Sequence, residues 1–89
     1  MKSTLASEVL QDEIAISLAQ AVAIANQKAQ SLGVVVRESL ISITQKAEKG
    51  SSVWRINYGP RDYVNMRGGD LVIEVDIDET HIKKVYHGQ

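Results

Sequence analysis

Three carboxylates, Glu74, Asp76 and Asp78, alternate along DLVIEVDIDE, residues 70–79. The chemistry such a run suggests is binding of a hard cation, which takes six to eight oxygens at about 2.3–2.6 Å. Side chains two apart on a strand stand about 6.5–7 Å from each other, so three in a row span about 13 Å and cannot converge on one ion. The run also lacks the glycine and closing glutamate of a calcium-binding helix-loop-helix. It reads instead as the wet face of a strand, paired across the sheet with Arg55 or Lys83, and as a secondary acidic surface for a basic partner.

The other reactive side chains are scattered. His81 and His87 are the only histidines, and six residues of strand put them about 20 Å apart, too far to chelate together. There is no cysteine, which removes disulfides and thiolate metal sites. Ser17, Ser42, Ser51 and Ser52 lack a nucleophile-elbow pattern, and neither histidine has an evident acid–base partner. Gly68-Gly69 is followed by no Lys-Ser/Thr and opens no helix, so it is not a phosphate loop. The sequence therefore predicts no catalytic residue, no metal and no cofactor, and a protein that is not an enzyme.

A stronger candidate is NYGPRDYVNMRGGDL, residues 57–71. Arg61, Tyr63, Met66 and Arg67 sit on the longest connection between two strand-like runs. These residue types are enriched at interfaces because each joins apolar area to a polar or adaptable end. Loops carried by rigid sheets are where binding usually lives. The plainer reading is a turn in which Pro60 ends one strand, Gly68-Gly69 eases entry to the next, and Tyr63, Val64 and Met66 fold over the core.

The elements that must position these residues follow from periodicity. In ISLAQAVAIANQKAQSLG, residues 16–33, Leu18, Val22, Ala25, Ala29 and Leu32 share one helical face. Ser17 and Gln20 have capping-box spacing, and Gly33 is a natural stop. Residues 34–48 turn near Arg37–Ser39 and then alternate, with Ile41 and Ile43 on one side and Ser42 and Thr44 on the other. Lys49-Gly50-Ser51 has turn chemistry. In SVWRINY, residues 52–58, Trp54, Ile56 and Tyr58 point one way and Val53, Arg55 and Asn57 the other. Leu71, Ile73, Val75 and Ile77 line the buried side of the next strand. HIKKVYH, residues 81–87, is a last strand with imperfect alternation, and its Lys83-Lys84 pair suits a charged edge.

Eighty-nine residues make one small domain, which buries only about 60–65% of its unfolded surface. One helix followed by strands predicts an α+β fold: a main N-terminal helix across a three- to four-stranded antiparallel sheet, in the order α-β-β-β-β. Residues 1–15 read as a short helix or a frayed end, and residues 16–89 as the domain. Ten basic against eleven acidic residues give a net charge of −1, without the basic surplus that nucleic acid demands. No apolar run approaches the ~20 residues of a membrane span. MKSTLASEVLQDE does not read as a signal peptide, so a cytoplasmic protein is the expectation.

Two stretches carry a family resemblance. ISLAQAVAIA, residues 16–25, resembles the helix entry of PepSY domains, and VDIDETHIKKV, residues 75–85, resembles their terminal hairpin. From Trp54 onward, with GGDLVIEVDIDETHIKKVYHG, the chain is also similar to small immunity proteins of the nuclear-transport-factor-like type. Both resemblances imply a helix laid on an antiparallel sheet, related to the cystatin-like fold. Where the family turn carries glycine this chain has Thr80, which cannot take a positive φ cheaply. The resemblance implies binding rather than catalysis: of peptidases for PepSY domains, of toxins for the immunity proteins. The expected function is a small module that binds a protein partner. The alternatives are a small apolar-ligand domain with Trp54 and Tyr58 in its pocket wall, and a homodimerisation module pairing edge strands.

Overall fold

The computed structural model describes residues 11–60 and 70–88. A helix, α1 (Glu13–Ser31), leads through a 3-10 turn at Val36–Glu38 into four strands: β1 (Ser39–Glu48), β2 (Ser51–Pro60), β3 (Leu71–Asp76) and β4 (Ile82–His87). The strands form one antiparallel sheet in chain order, β1-β2-β3-β4. This is the expected α+β arrangement, with the full four strands.

α1 starts earlier than its apolar spacing predicts. Asp12, not Ser17, is the cap: its Oδ1 accepts from the Ala15 amide at 2.9 Å, satisfying one of the orphan donors of the first turn. The Ser17 hydroxyl instead accepts from Trp54 Nε1 at 3.0 Å. The other end closes as expected. The Val34 amide donates to Ala29 O and the Gly33 amide to Gln30 O, with Gly33 at φ +92°, a Schellman arrangement.

The buried stripe of α1 is Ala21, Ala25 and Ala29, flanked by the partly buried Leu18 and Val22, while Leu32 is exposed. Small side chains let the helix lie close over Trp54, Ile56 and Tyr58 of β2 and Leu71, Ile73 and Val75 of β3. Burying Ile56 or Ile73 completely is worth roughly 1.5–3 kcal/mol each. Two hydrogen bonds set the helix along β2: Trp54 Nε1 to Ser17 Oγ, and Tyr58 Oη to Asn26 Oδ1 at 2.7 Å. The two donors are four strand residues apart, about 13 Å. The two acceptors are nine helix residues apart, also about 13 Å. The matching rise aligns helix and strand.

The β1–β2 ladder runs unbroken from Ser39↔Pro60 to Glu48↔Ser51, and Gly50 supplies the positive φ of its two-residue turn, +70°. The β3–β4 ladder is broken. Glu74 pairs with Lys84 but Val75 pairs with Ile82, leaving Lys83 as the extra residue of a bulge. The bulge explains the imperfect alternation of HIKKVYH, because it brings Ile82 and Val85 to the same side of the sheet three residues apart. In the preceding turn Thr80 takes φ +53° and donates its amide to Asp76 O at 3.0 Å. A β-branched residue there carries a local cost of about 1–2 kcal/mol.

Candidate functional site

Arg61, Tyr63, Met66 and Arg67 lie outside the described residues. The acidic trio is described, and it is not one wet face. β3 ends at Asp76, so Asp78 falls in the turn. Glu74 and Asp76 are buried rather than solvated, and each has a local structural role. Lys46 Nζ approaches Glu74 Oε2 at 3.6 Å, and Tyr86 Oη donates to the same oxygen at 3.2 Å. Two long side chains from the two outer strands thus close on one carboxylate in β3. Glu74 Oε1 is buried without a hydrogen-bond partner. Neither cation expected beside the trio bonds to Glu74: Arg55 stands across from it in register, and Lys83 reaches Ser51 Oγ at 3.5 Å. Lys46 and Tyr86 were not legible as its partners, since Lys46 reaches Glu74 across the intervening β2.

Asp76 caps its own turn. Its Oδ1 accepts from the Asp78 amide at 2.9 Å and the Glu79 amide at 2.7 Å. The Glu79 amide does most to hold its carboxyl below the usual 3.8; burial opposes this, and the Asp78 amide with the Lys83 and His81 charges assists. His81 Nδ1 lies 3.4 Å from Glu79 Oε1. Among the described residues no group of three or more acidic or histidine side chains could hold a metal ion.

Trp54 and Tyr58 line neither of the two hollows formed by the described residues. Both are buried in the core with their polar ends tied to α1, and burial pushes the Tyr58 hydroxyl up to about 12. An open hollow of about 360 Å³ lies elsewhere, along Gln30, Val34, Val35, Val36 and Arg37. A smaller one of about 190 Å³ is lined by Ser42, Thr44, Arg55 and Asn57 on the face away from the helix.

The most distinctive exposed surface is β1. One row crosses the sheet on the helix side, Ile43–Ile56–Ile73–Val85. The two central members are fully buried, but Ile43 is 39% exposed and Val85 37%. Among the described residues α1 roofs β2 and β3 and leaves Ile43 of β1 and Val85 of β4 partly exposed, while Ile82 of β4 packs against the core. On β1 Leu40 and Ile41 are exposed as well, at 47% and 40%. Leu40 points to one face and Ile41 and Ile43 to the other, so both faces of this outer strand carry exposed aliphatic surface. Between Leu40 and Gln45 there is no charge, no proline and no bulge. The signal was present in LISITQ as an uncharged strand; what the sequence did not show is how far the helix reaches.

Among the described residues, no helix is long and apolar enough to cross a membrane. No protein-family model, no curated protein and no solved structure matches the chain.

Proposed function

We propose that this domain is a non-enzymatic interaction module that binds a protein partner, and that β1 is its docking strand. The observation that carries the reading is the outer edge of β1: among the described residues this ten-residue strand has one ladder partner, β2, and Leu40, Ile41 and Ile43 are exposed. Such an edge offers a row of backbone donors and acceptors to an incoming strand, with side chains on both faces to select it. The PepSY-like and immunity-like resemblance supports the same class, with a peptidase or a toxin as the kind of partner. The open hollow at Val34–Val36 supports the ligand reading, and its walls include neither Trp54 nor Tyr58.

The test is capture from native lysate by three immobilised proteins: wild type, Ser42→Lys/Thr44→Lys, and Arg61→Ala/Tyr63→Ala/Arg67→Ala. Ser42 and Thr44 are exposed, so the lysines guard β1 without entering the core. A protein held by wild type and the loop variant but lost by the lysine variant supports β1. Retention by all three proteins sinks the β1 reading. Loss from the loop variant alone moves the site to Arg61, Tyr63 and Arg67.

A further inference from the structure

We infer that the partner of β1 includes a second copy of this chain, joined by antiparallel β1–β1 pairing about a two-fold axis through Ser42. This rests on the reading of β1 as a docking strand and adds the occupant and the register.

The side chains of β1 are symmetric about Ser42, an axis that pairs residues 39–45 of the ten-residue strand. Around Ser42 the sequence reads Glu38-Ser39-Leu40-Ile41, then Ile43-Thr44-Gln45-Lys46. A two-fold axis normal to the sheet sets each residue opposite the one equally far on the other side of Ser42. Ile41 then faces the copy's Ile43 on the helix side, twice. On the other face Ser42 meets its own copy and Leu40 meets Thr44. Beyond each end of the ladder Glu38, in the 3-10 turn, lies on the side of the copy's Lys46, whose ammonium also holds Glu74. Aliphatic pairs and opposite charges across strands are the favourable combinations, and like charges opposite each other are not.

Neighbouring registers do worse. Moving the axis to Ile43 lengthens the ladder to residues 39–47 and sets Ile43 against its copy, but it sets Ile41 against Gln45 and Leu40 against Lys46 twice each. Moving it to Ile41 sets Ile43 against Ser39 and shortens the ladder. Because β1 has no bulge against β2, its outer edge runs regularly along the whole pairing.

The sheet geometry permits the assembly. α1 lies over β2 and β3, so its axis sits about two strand spacings from the two-fold. At about 4.8 Å per spacing the two helices stand about 19 Å apart, whereas helices in contact pack at 8–10 Å. They do not collide. The joined sheet has eight strands, and Ile41 and Ile43 of both copies form one apolar patch on the floor between the helices.

The chain has no cysteine, so single-cysteine variants report the register cleanly. Wild type is examined by sedimentation over a concentration series to about 500 µM, where even weak pairing of Kd near 100 µM populates the dimer. Ile41→Cys, Ser42→Cys, Ile43→Cys and Thr44→Cys are then oxidised separately by dissolved oxygen with a copper catalyst, after circular dichroism shows each folded. The expected result is a dimer in which Ser42→Cys crosslinks fastest. Its two copies face each other at about 4.5–5.5 Å between Cβ atoms, while two Thr44→Cys copies are offset by about 13 Å along the strands. Ser42→Lys/Thr44→Lys is expected to raise the dimer dissociation constant at least about tenfold.

Fastest crosslinking at position 41 or 43 overturns the register. A monomer throughout the series overturns self-pairing. It leaves β1 as a docking strand for another protein standing or falling on the capture experiment above, so the two failures are distinguishable.

Discussion

β1 and β4 are the two outer strands of one sheet, and each offers one residue of the same row to solvent to nearly the same extent: Ile43 at 39% and Val85 at 37%. There the likeness ends. β4 has six residues, is broken by the Lys83 bulge, and carries Lys83 and Lys84 exposed in tandem. β1 has ten residues in an unbroken ladder, with no charge from Leu40 to Gln45. Shortness, bulges and lysines are the devices by which natural sheets keep an outer strand from pairing. β4 has all three, whereas β1 has neither shortness nor a bulge and carries its one lysine, Lys46, beyond the uncharged stretch; this contrast within one molecule is what supports the reading of β1 as a docking strand.

Removing the guard on β4 has the largest expected effect. Deleting Lys83 leaves Ile82, Lys84 and Val85 in their present pairings and restores a regular ladder. Combined with Lys84→Thr, it gives the sheet two open edges. The expected outcome is growth beyond a dimer into large assemblies, read by light scattering. A deletion variant with the wild-type association state would show that the bulge and lysines guard nothing.

Both outer strands grip Glu74, one through Lys46 and the other through Tyr86. Lys46→Met leaves the buried carboxylate with Tyr86 alone and should cost about 2 kcal/mol in urea unfolding. That is below the 3–5 of a fully buried pair, because Lys46 is 39% exposed and water screens it. Tyr86→Phe removes one hydrogen bond and should cost about 1 kcal/mol. Equal losses from the two variants would mean that β1 and β4 hold Glu74 equally.

Tyr58 bounds the roofed part of the sheet beside Ile41, and its behaviour with pH tests the anchoring of the helix. Its hydroxyl is raised from 10.0 to about 12 by burial. The unfolded chain therefore loses this proton first, and the stabilisation, complete below pH 10, is lost as pH rises through about 12. Tyr58→Phe should cost about 1 kcal/mol at neutral pH and remove this part of the alkaline loss. An unchanged alkaline limb in the variant would assign it to other groups.

The smallest effect compares the two hairpin turns. Gly50 takes its positive φ freely, whereas Thr80 takes one at +53° under strain. Thr80→Gly relieves about 1–2 kcal/mol of backbone strain and loses about 0.5–1 to unfolded-chain entropy. A net gain of about 0.5 kcal/mol is expected, and a destabilised variant would show that Thr80 makes contacts worth more than its strain.

The order of elements was legible because it rests on local periodicity: Ala25 and Ala29 at helical spacing, Trp54-Ile56-Tyr58 alternating, Gly33 and Gly50 at stops and turns. What escaped was settled by distant partners. Ser17 looked like a cap because its short-range pattern fits one, but its hydroxyl serves Trp54, 37 residues away. Glu74 and Asp76 looked solvated because alternation assigns a polar face to water. It cannot show that Lys46 and Tyr86 will reach the first, or that the turn will claim the second. Of the candidate sites, Arg61, Tyr63, Met66 and Arg67 lie outside the described residues, and the acidic trio separates into a buried Glu74 held by Lys46 and Tyr86, a turn cap at Asp76, and an exposed Asp78 in that turn. The open edge was written in LISITQ, yet its exposure depends on the width of one helix against four strands.

The sheet follows chain order, so every ladder joins strands adjacent in sequence, and contacts of short separation close quickly. The helix is different. It precedes the four strands in the chain but bonds to Trp54 across 37 residues. Trp54 is the only tryptophan, and its indole N–H meets Ser17 only when the helix lands. In a refolding time course the tryptophan emission therefore times the arrival of the helix, while the far-ultraviolet signal follows the strands as well. A lag between the two would reveal a bare sheet awaiting its roof, with the core face of all four strands briefly open to other chains.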